Sequence, residues 1–295
     1  MNAFLKKIND GDNLVADGAT GTNLHRMGLK AGTIPEELVL DNPDLLISLA
    51  SKFVEAGSDI ILTCTFGGTS LRMKESRYVD RISEINIRAV ELARQAAANK
   101  EGVLVGGSIG PTGQLIQPFG PLLPEEALAA YTIQAEALCK GGVDLLVIET
   151  MFSMEEASLA FEAARSVCDL PIVVSFSYDR GTRTMMGVKP AQVITTFSDK
   201  GALAVGANCG SSLENMGKIV QEYSDTMPGF PIWAKPNAGL PHTDENGQAV
   251  YDITPEKMGE AALYNISKGA RVVGGCCGSS PEHVAGIARA VKSLK

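Results

Sequence analysis

The chain of 295 residues has no apolar run that approaches the roughly 18 residues a membrane span requires, which excludes a transmembrane protein. Its first segment, MNAFLKKINDGDN, lacks the long apolar core of a secretory leader, so the expected location is the cytoplasm. Basic charge is in deficit: 26 Lys and Arg stand against 34 Asp and Glu, a formal charge of −8. The few basic residues are scattered, and without a basic cluster the electrostatic footprint of nucleic-acid binding is missing. A small molecule or another protein is the expected partner. Histidine is scarce, with three in the chain, and six cysteines are too few for a disulfide framework. Metal or thiol chemistry in a reducing compartment is the better reading of them. There is no Pro/Ser linker, composition break or short repeat, so one domain is expected over 1–295, and 45% apolar against 20% charged is ordinary globular composition with a sizeable core.

What is present is a regular alternation. Eight short runs rich in Val, Ile and Leu read as buried strands, at 13–16, 59–63, 103–107, 143–148, 171–176, 202–206, 231–235 and 271–275. Between them lie segments such as DLLISLASKFVEAG and MEEASLAFEAARSV, whose apolar residues recur at helical spacing. Gly57, Gly142, Gly201 and Gly269 precede strands where a left-handed helix cap would turn the chain back. Eight such units in a chain of this length predict an α/β fold, a single closed (β/α)8 barrel of the TIM type. An open doubly wound sheet would carry a G-x-G-x-x-G fingerprint after its first strand, and Gly18-Ala19-Thr20-Gly21-Thr22 does not have that spacing. The polar stretch 241–254 reads as a long loop.

In such a barrel the working face is built from the residues just after each strand. Those are Asp17 and Gly18, Cys64, Ser108, Glu149, Ser177, Asn208 and Cys209, Asn237, and finally Cys276-Cys277-Gly278. Three cysteines converge there: Cys209 after the sixth strand and the adjacent Cys276 and Cys277 after the eighth. Three thiolates with a fourth position open are the ligand set of a catalytic zinc, and the flanking glycines give adjacent residues the freedom to face one ion. The 66 residues between Cys209 and Cys276 exceed any zinc-finger loop, and the barrel explains how they meet. Cys139 and Cys168 fall in helical or turn segments and read as small core residues. Gly106-Gly107-Ser108-Ile109-Gly110 has the G-x-S-x-G pattern of a hydrolase elbow. Neither His242 nor His283, which follow it, sits at a strand end to act as its base.

Taken together, these stretches resemble the homocysteine S-methyltransferase family, the barrel shared by cobalamin-dependent methionine synthase and the betaine- and S-methylmethionine-homocysteine methyltransferases. The matching segments are Asp17-Gly18-Ala19-Thr20-Gly21-Thr22, Ser108-Ile109-Gly110-Pro111-Thr112-Gly113, Glu149-Thr150, Asn208-Cys209, Lys235-Pro236-Asn237-Ala238-Gly239 and Gly274-Gly275-Cys276-Cys277-Gly278, in order along nearly the whole chain. The resemblance implies that Cys209, Cys276 and Cys277 hold a zinc ion that binds the thiol of homocysteine. It implies also that Asp17 and Glu149 meet the substrate amino group. Gly18 and Gly21, with Thr20 and Thr22, are then expected to leave backbone N–H groups free for the carboxylate, Ala19 lies among the substrate-binding residues, and Ser108 and Asn237 support the site. Ser108 and Cys64 depart from methionine synthase, which has aspartate and asparagine there. No cobalamin domain fits in this chain, so the methyl group is expected from a small sulfonium or ammonium donor or from a separate methylcorrinoid protein. Two further readings are a corrinoid-linked methyltransferase acting on another thiol or methylated substrate, and a non-catalytic zinc- or thiol-binding protein.

Overall fold

The computed structural model describes residues 2–30, 32–98, 100–210, 212–243 and 249–294. The barrel strands are β1 (Leu14–Val15), β2 (Ile60–Leu62), β3 (Leu104–Ile109), β4 (Leu145–Met151), β5 (Ile172–Phe176), β6 (Ala204–Cys209) and β7 (Ile232–Pro236). A small hairpin, β8 (His242–Thr243) with β9 (Ala249–Val250), precedes the last of them, β10 (Ala270–Val273). All eight barrel strands pair in parallel in the order β1-β10-β7-β6-β5-β4-β3-β2. The ring closes through a bridge between Ala16 and Ile60, flanked by Asp17 N–H on Ile60 O at 3.0 Å and Asp59 N–H on Val15 O at 2.7 Å. The result is a single TIM-type barrel. Its helices are α1 (Ala3–Asn9), α2 (Thr20–Arg26), α3 (Leu38–Asp41), α4 (Pro43–Ala56), α5 (Ile82–Ala97), α6 (Pro124–Gly141), α7 (Met154–Val167), α8 (Pro190–Asp199), α9 (Leu213–Thr226), α10 (Pro255–Ser267) and α11 (Pro281–Lys292). None of the helices among the described residues is long and apolar enough to cross a membrane.

Side chains along a strand alternate between two faces. One set, Leu14, Ile60, Leu104, Leu145, Val147, Val173, Ala204, Trp233 and Val272, fills the barrel interior. The residues between them, including Val105, Leu146, Val174, Val205 and Ala234, pack outward against the helices. Helix α1 adds Phe4 and Ile8 to the interior set and stoppers the amino-terminal end, where Asn2 Nδ2 donates to Asp144 O at 2.8 Å. Trp233 fits because Gly206 on the neighbouring strand has no side chain: a Cβ there would lie 1.9 Å from Trp233 O and 2.7 Å from its Cβ.

The strands differ from the expected ones at their carboxyl ends. The third, fourth and sixth run on to Ile109, Met151 and Cys209, so Ser108, Glu149 and Cys209 belong to the strands rather than to the turns after them. An apolar run ends at its first polar residue, but a polar side chain that faces the barrel interior leaves the backbone ladder intact. The glycine caps have the expected left-handed backbone, with φ of 110° at Gly57, 90° at Gly142, 87° at Gly201 and 112° at Gly269. The stretch 241–254 contains the β8–β9 hairpin instead of being wholly loop, and its residues 244–248 lie outside the described residues. Cys139 and Cys168 are a correction: beyond packing against the core, they form a disulfide, with Cα atoms 6.7 Å apart. Successive helices of such a barrel run side by side in one direction, so the carboxyl ends of α6 and α7 are neighbours. A separation of 29 residues does not display that relation.

Strands β1 and β2, of two and three residues, are the shortest of the barrel. A cavity of about 30 Å³ lies between them and helices α4 and α5, lined by Asp17, Leu46, Phe53, Leu62, Cys64 and Leu92 among others.

Candidate functional site

The inward alternation continues upward from the apolar layer into a polar one. Two residues beyond Val147 comes Glu149, and two beyond Trp233 comes Lys235; Asn208 stands four beyond Ala204, and Ser108 four beyond Leu104. All four are buried at the carboxyl-terminal face, together with Asp17 at the end of β1.

The three sulfurs of Cys209, Cys276 and Cys277 lie within 4.8 Å of one another. Cys209 Sγ is 2.8 Å from Cys276 Sγ and 3.8 Å from Cys277 Sγ. For comparison, bonds of about 2.3 Å to a tetrahedral zinc place sulfurs about 3.8 Å apart. The Cys209–Cys277 spacing matches that value and the Cys209–Cys276 spacing is shorter, so the donor set fits a zinc ion by its chemistry and its grouping. Hydrogen bonds from Cys209 and Cys276 pull the Cys277 thiol down to about 3. Cys209 is held well above its ordinary value by its bonds to the other two sulfurs and by burial. Three sulfur donors grouped in one partly buried place are the soft ligand set that a divalent ion would hold as thiolates.

Backbone geometry aims these sulfurs. Cys209 has φ of 57°, a left-handed conformation that costs a non-glycine residue about 1–2 kcal/mol. Thr150, at φ of 62°, is strained in the same way, and Asn208 holds it. The Asn208 Oδ1 accepts from Thr150 N–H at 2.8 Å and from Ser175 Oγ at 2.7 Å, while its Nδ2 donates to Thr150 Oγ1 at 2.6 Å. The same Nδ2 stands 3.7 Å from Cys276 Sγ. A hydrogen-bond relay ties the double-cysteine turn to the last helix. Ala238 N–H donates to Cys277 O, Ile253 N–H to Ala238 O, and His283 Nε2–H to Ile253 O at 2.7 Å.

The turn after β1 is stitched to the same place. Ala19 N–H donates to Ser279 O at 3.0 Å, Asn23 Nδ2 donates to that oxygen at 2.9 Å, and Gly278 N–H reaches Thr22 Oγ1. A Cβ on Gly18 would sit 2.6 Å from Ser279 O and 2.7 Å from Phe53, so this close approach requires glycine. Thr20 opens helix α2 directly after it.

The two carboxylates differ in environment. Asp17 Oδ2 accepts from Leu62 N–H at 2.7 Å, and its Oδ1 receives Lys235 Nζ at 2.6 Å, in an ion pair whose side chains are each 3% exposed. Glu149 Oε1 accepts from Ser108 Oγ at 2.6 Å. Burial pushes the Glu149 carboxyl up to about 7, against the downward pull of Lys235. Burial disfavours the Lys235 ammonium as well, but Asp17 and Glu149 outweigh it and raise its pKa. Asn237 Nδ2 donates to Gly210 O at 3.2 Å, and its Oδ1 is buried with no partner among the described residues.

Of the residues singled out from sequence, the three cysteines are brought together, and Asp17, Ser108, Glu149 and Asn237 ring the same barrel mouth. Cys64 does not join the sulfurs; it lines the cavity beneath β1 and β2, where burial and then Glu36 raise its thiol pKa. Ser108 donates to a carboxylate, and the histidines have other partners: Leu29 O for His25, Asp252 for His242 and Ile253 O for His283. Sequence reasoning passed over Lys235, Asn208 and Thr150 as functional residues. The signal for the first two was their place in phase with Trp233 and Ala204 on inward strand faces.

Comparison with known proteins finds the same fold. The metallated form of the homocysteine methyltransferase MmuM from Escherichia coli superposes with a TM-score of 0.82 at 23% identity, covering 100% of both chains. Its oxidised form gives 0.80 at 24% identity over 99% of each. A methyltransferase from Methanosarcina mazei gives 0.59 at 14% identity, over 99% of this chain and 98% of that one. At such identities the likeness is one of fold. The sequence model of homocysteine S-methyltransferases, however, matches residues 14–291, nearly the whole chain. The protein belongs to the homocysteine S-methyltransferase family and is a methyltransferase.

Proposed function

We propose that the protein is a zinc-dependent S-methyltransferase, one domain over 1–295, that moves a methyl group to homocysteine and yields methionine in the cytoplasm. The observation that carries this reading is the convergence of Cys209, Cys276 and Cys277 within 4.8 Å at the barrel mouth. Cys209, Cys276 and Cys277 would hold the zinc ion, which when bound would supply the deprotonation of a substrate thiol, whose ordinary pKa of about 8.5 leaves it a poor nucleophile at neutral pH. Three thiolates on a divalent ion leave a formal charge of −1, which favours an electron-rich nucleophile over a polarised electrophile.

The chain's own residues orient the substrate. Glu149 receives the ammonium group, its second oxygen free of the Ser108 hydrogen bond. Asp17, held by Leu62 N–H and Lys235, adds negative charge beside it. The Gly18, Ala19 and Thr20 turn walls the site, and the unpartnered Asn237 Oδ1 offers an acceptor near the cysteine turn. Fixing the amino acid at one end while its sulfur is held at the other converts methyl transfer into an oriented, nearly unimolecular event. The donor is a small sulfonium or ammonium compound or a methylated corrinoid on a separate protein. The deciding experiment measures metal content and then offers homocysteine with S-methylmethionine, betaine or a methylcorrinoid in turn. Methionine from one of them supports the reading, and zinc-loaded protein that makes none with any donor refutes it.

A further inference from the structure

Lys235 is a cation inside the barrel mouth with unused capacity. Its Nζ donates to Asp17 Oδ1 at 2.6 Å and stands 5.8 Å from the centroid of the Trp233 ring beneath it. Among the described residues it has no other hydrogen-bond acceptor, although an ammonium carries three N–H donors. Buried donors are almost always satisfied, so two open N–H groups in a buried site call for a ligand that accepts. Both oxygens of Asp17 are engaged, while Glu149 keeps one oxygen clear of Ser108. The backbone N–H of Ala19 is committed to Ser279 O and is not open to a substrate carboxylate. The mouth thus presents one uncommitted cationic donor and one uncommitted carboxylate oxygen, the complement of a zwitterion.

We propose that Lys235 is a specificity-determining residue whose ammonium binds the carboxylate of an α-amino-acid thiol while Glu149 holds its amino group. The inference rests on the reading that the substrate is an amino-acid thiol, and it adds the group that recognises the acid end. A thiol of the same length without the carboxylate loses the partner of Lys235 and leaves a buried ammonium half-satisfied.

The test is equilibrium binding of three thiols to the zinc-loaded protein by calorimetry, with no methyl donor present: homocysteine, 3-aminopropanethiol, which lacks the carboxylate, and 4-mercaptobutanoate, which lacks the amine. Wild-type protein is expected to prefer homocysteine over 3-aminopropanethiol by on the order of 30-fold, the worth of a charge-assisted hydrogen bond. In Lys235→Met that preference falls to within about threefold by the same reckoning, while the preference over 4-mercaptobutanoate persists. Because Lys235→Met leaves Asp17 buried without its partner, the double variant Asp17→Asn/Lys235→Met is measured beside it, with folding checked by thermal melting. Equal weakening of all three thiols with zinc retained, in either variant, overturns the inference and makes Lys235 a support for Asp17 alone. So does a wild-type protein indifferent to the carboxylate. Homocysteine that binds with this selectivity but is methylated by no donor refutes the proposed activity and leaves the role of Lys235 standing.

Discussion

The hydroxyl of Ser108 on β3 donates to Glu149 Oε1 on β4 at 2.6 Å, so one oxygen of the acid is committed before any substrate arrives. The other is left for an ammonium, and the acid's own protonation decides how well it serves.

Burial pushes Glu149 up to about 7, so its charge is lost as pH falls through neutrality. The preference for homocysteine over 4-mercaptobutanoate is expected to rise as pH is raised through 7, and in Glu149→Gln to be flat over that range. The variant should weaken homocysteine by about 2 kcal/mol and keep its zinc. Stability runs the other way. A carboxyl whose pKa is raised on folding stabilises the fold at low pH and loses that contribution as pH rises through its folded value. Glu149→Gln should therefore be more stable than wild type above pH 7, as denaturant titrations at pH 5 and 8.5 would show. A profile identical in wild type and variant would remove Glu149 from amine recognition.

Purified protein should carry one zinc per chain, measured by elemental analysis, and Cys209→Ala or Cys277→Ala should lose both metal and activity, because two sulfurs leave the ion one short of the three protein ligands a catalytic zinc takes. Full zinc in the triple cysteine variant would place the metal elsewhere.

Asn208→Ala removes three hydrogen bonds around Thr150 and Ser175 at once. A loss of about 2–3 kcal/mol in denaturant unfolding is expected, at about 1 kcal/mol for each bond. Zinc affinity should fall by about 10–100-fold as well, since Cys209 is the next residue and Cys276 the amide's neighbour. Stability lost with metal affinity intact would show that Asn208 serves the fold only.

Gly206→Ala drives a methyl group into Trp233, and at 1.9 Å from a backbone oxygen no rotamer relieves it. Destabilisation of about 3 kcal/mol or more is expected. Trp233 is the single tryptophan of the chain, so its fluorescence reports the barrel interior directly. An unshifted emission maximum and unfolding midpoint would mean that the two strands can part there without loss.

The barrel and the cluster of three cysteines were legible in sequence because both rest on local patterns: apolar runs at regular intervals, and cysteines set among glycines. Glu149 and Ser108 were visible as residues near strand ends. Lys235 was harder to see, for a lysine at the edge of an apolar run reads as the strand's exit into solvent. Only its phase with Trp233 shows that it points inward, and only the closed ring shows that Asp17, 218 residues away, is there to receive it. The Cys139–Cys168 pairing was hidden for a similar reason, since it depends on which helix ends become neighbours.

The junction of β1 and β2 joins the two shortest strands of the barrel through one bridge and a few hydrogen bonds, two of them to the Asp17 and Asp59 side chains, and is backed by a cavity, so it is the place where this barrel has least to lose by parting. Opening there is a local event that needs no unfolding of the other strands, so amide exchange at Asp17 and Asp59 should outpace exchange along β4 and β5. Asp17 sits on that line. Its carboxylate accepts from Leu62 N–H across the seam and from Lys235 within the mouth, so parting the two strands would cost Asp17 one of the two groups that hold it.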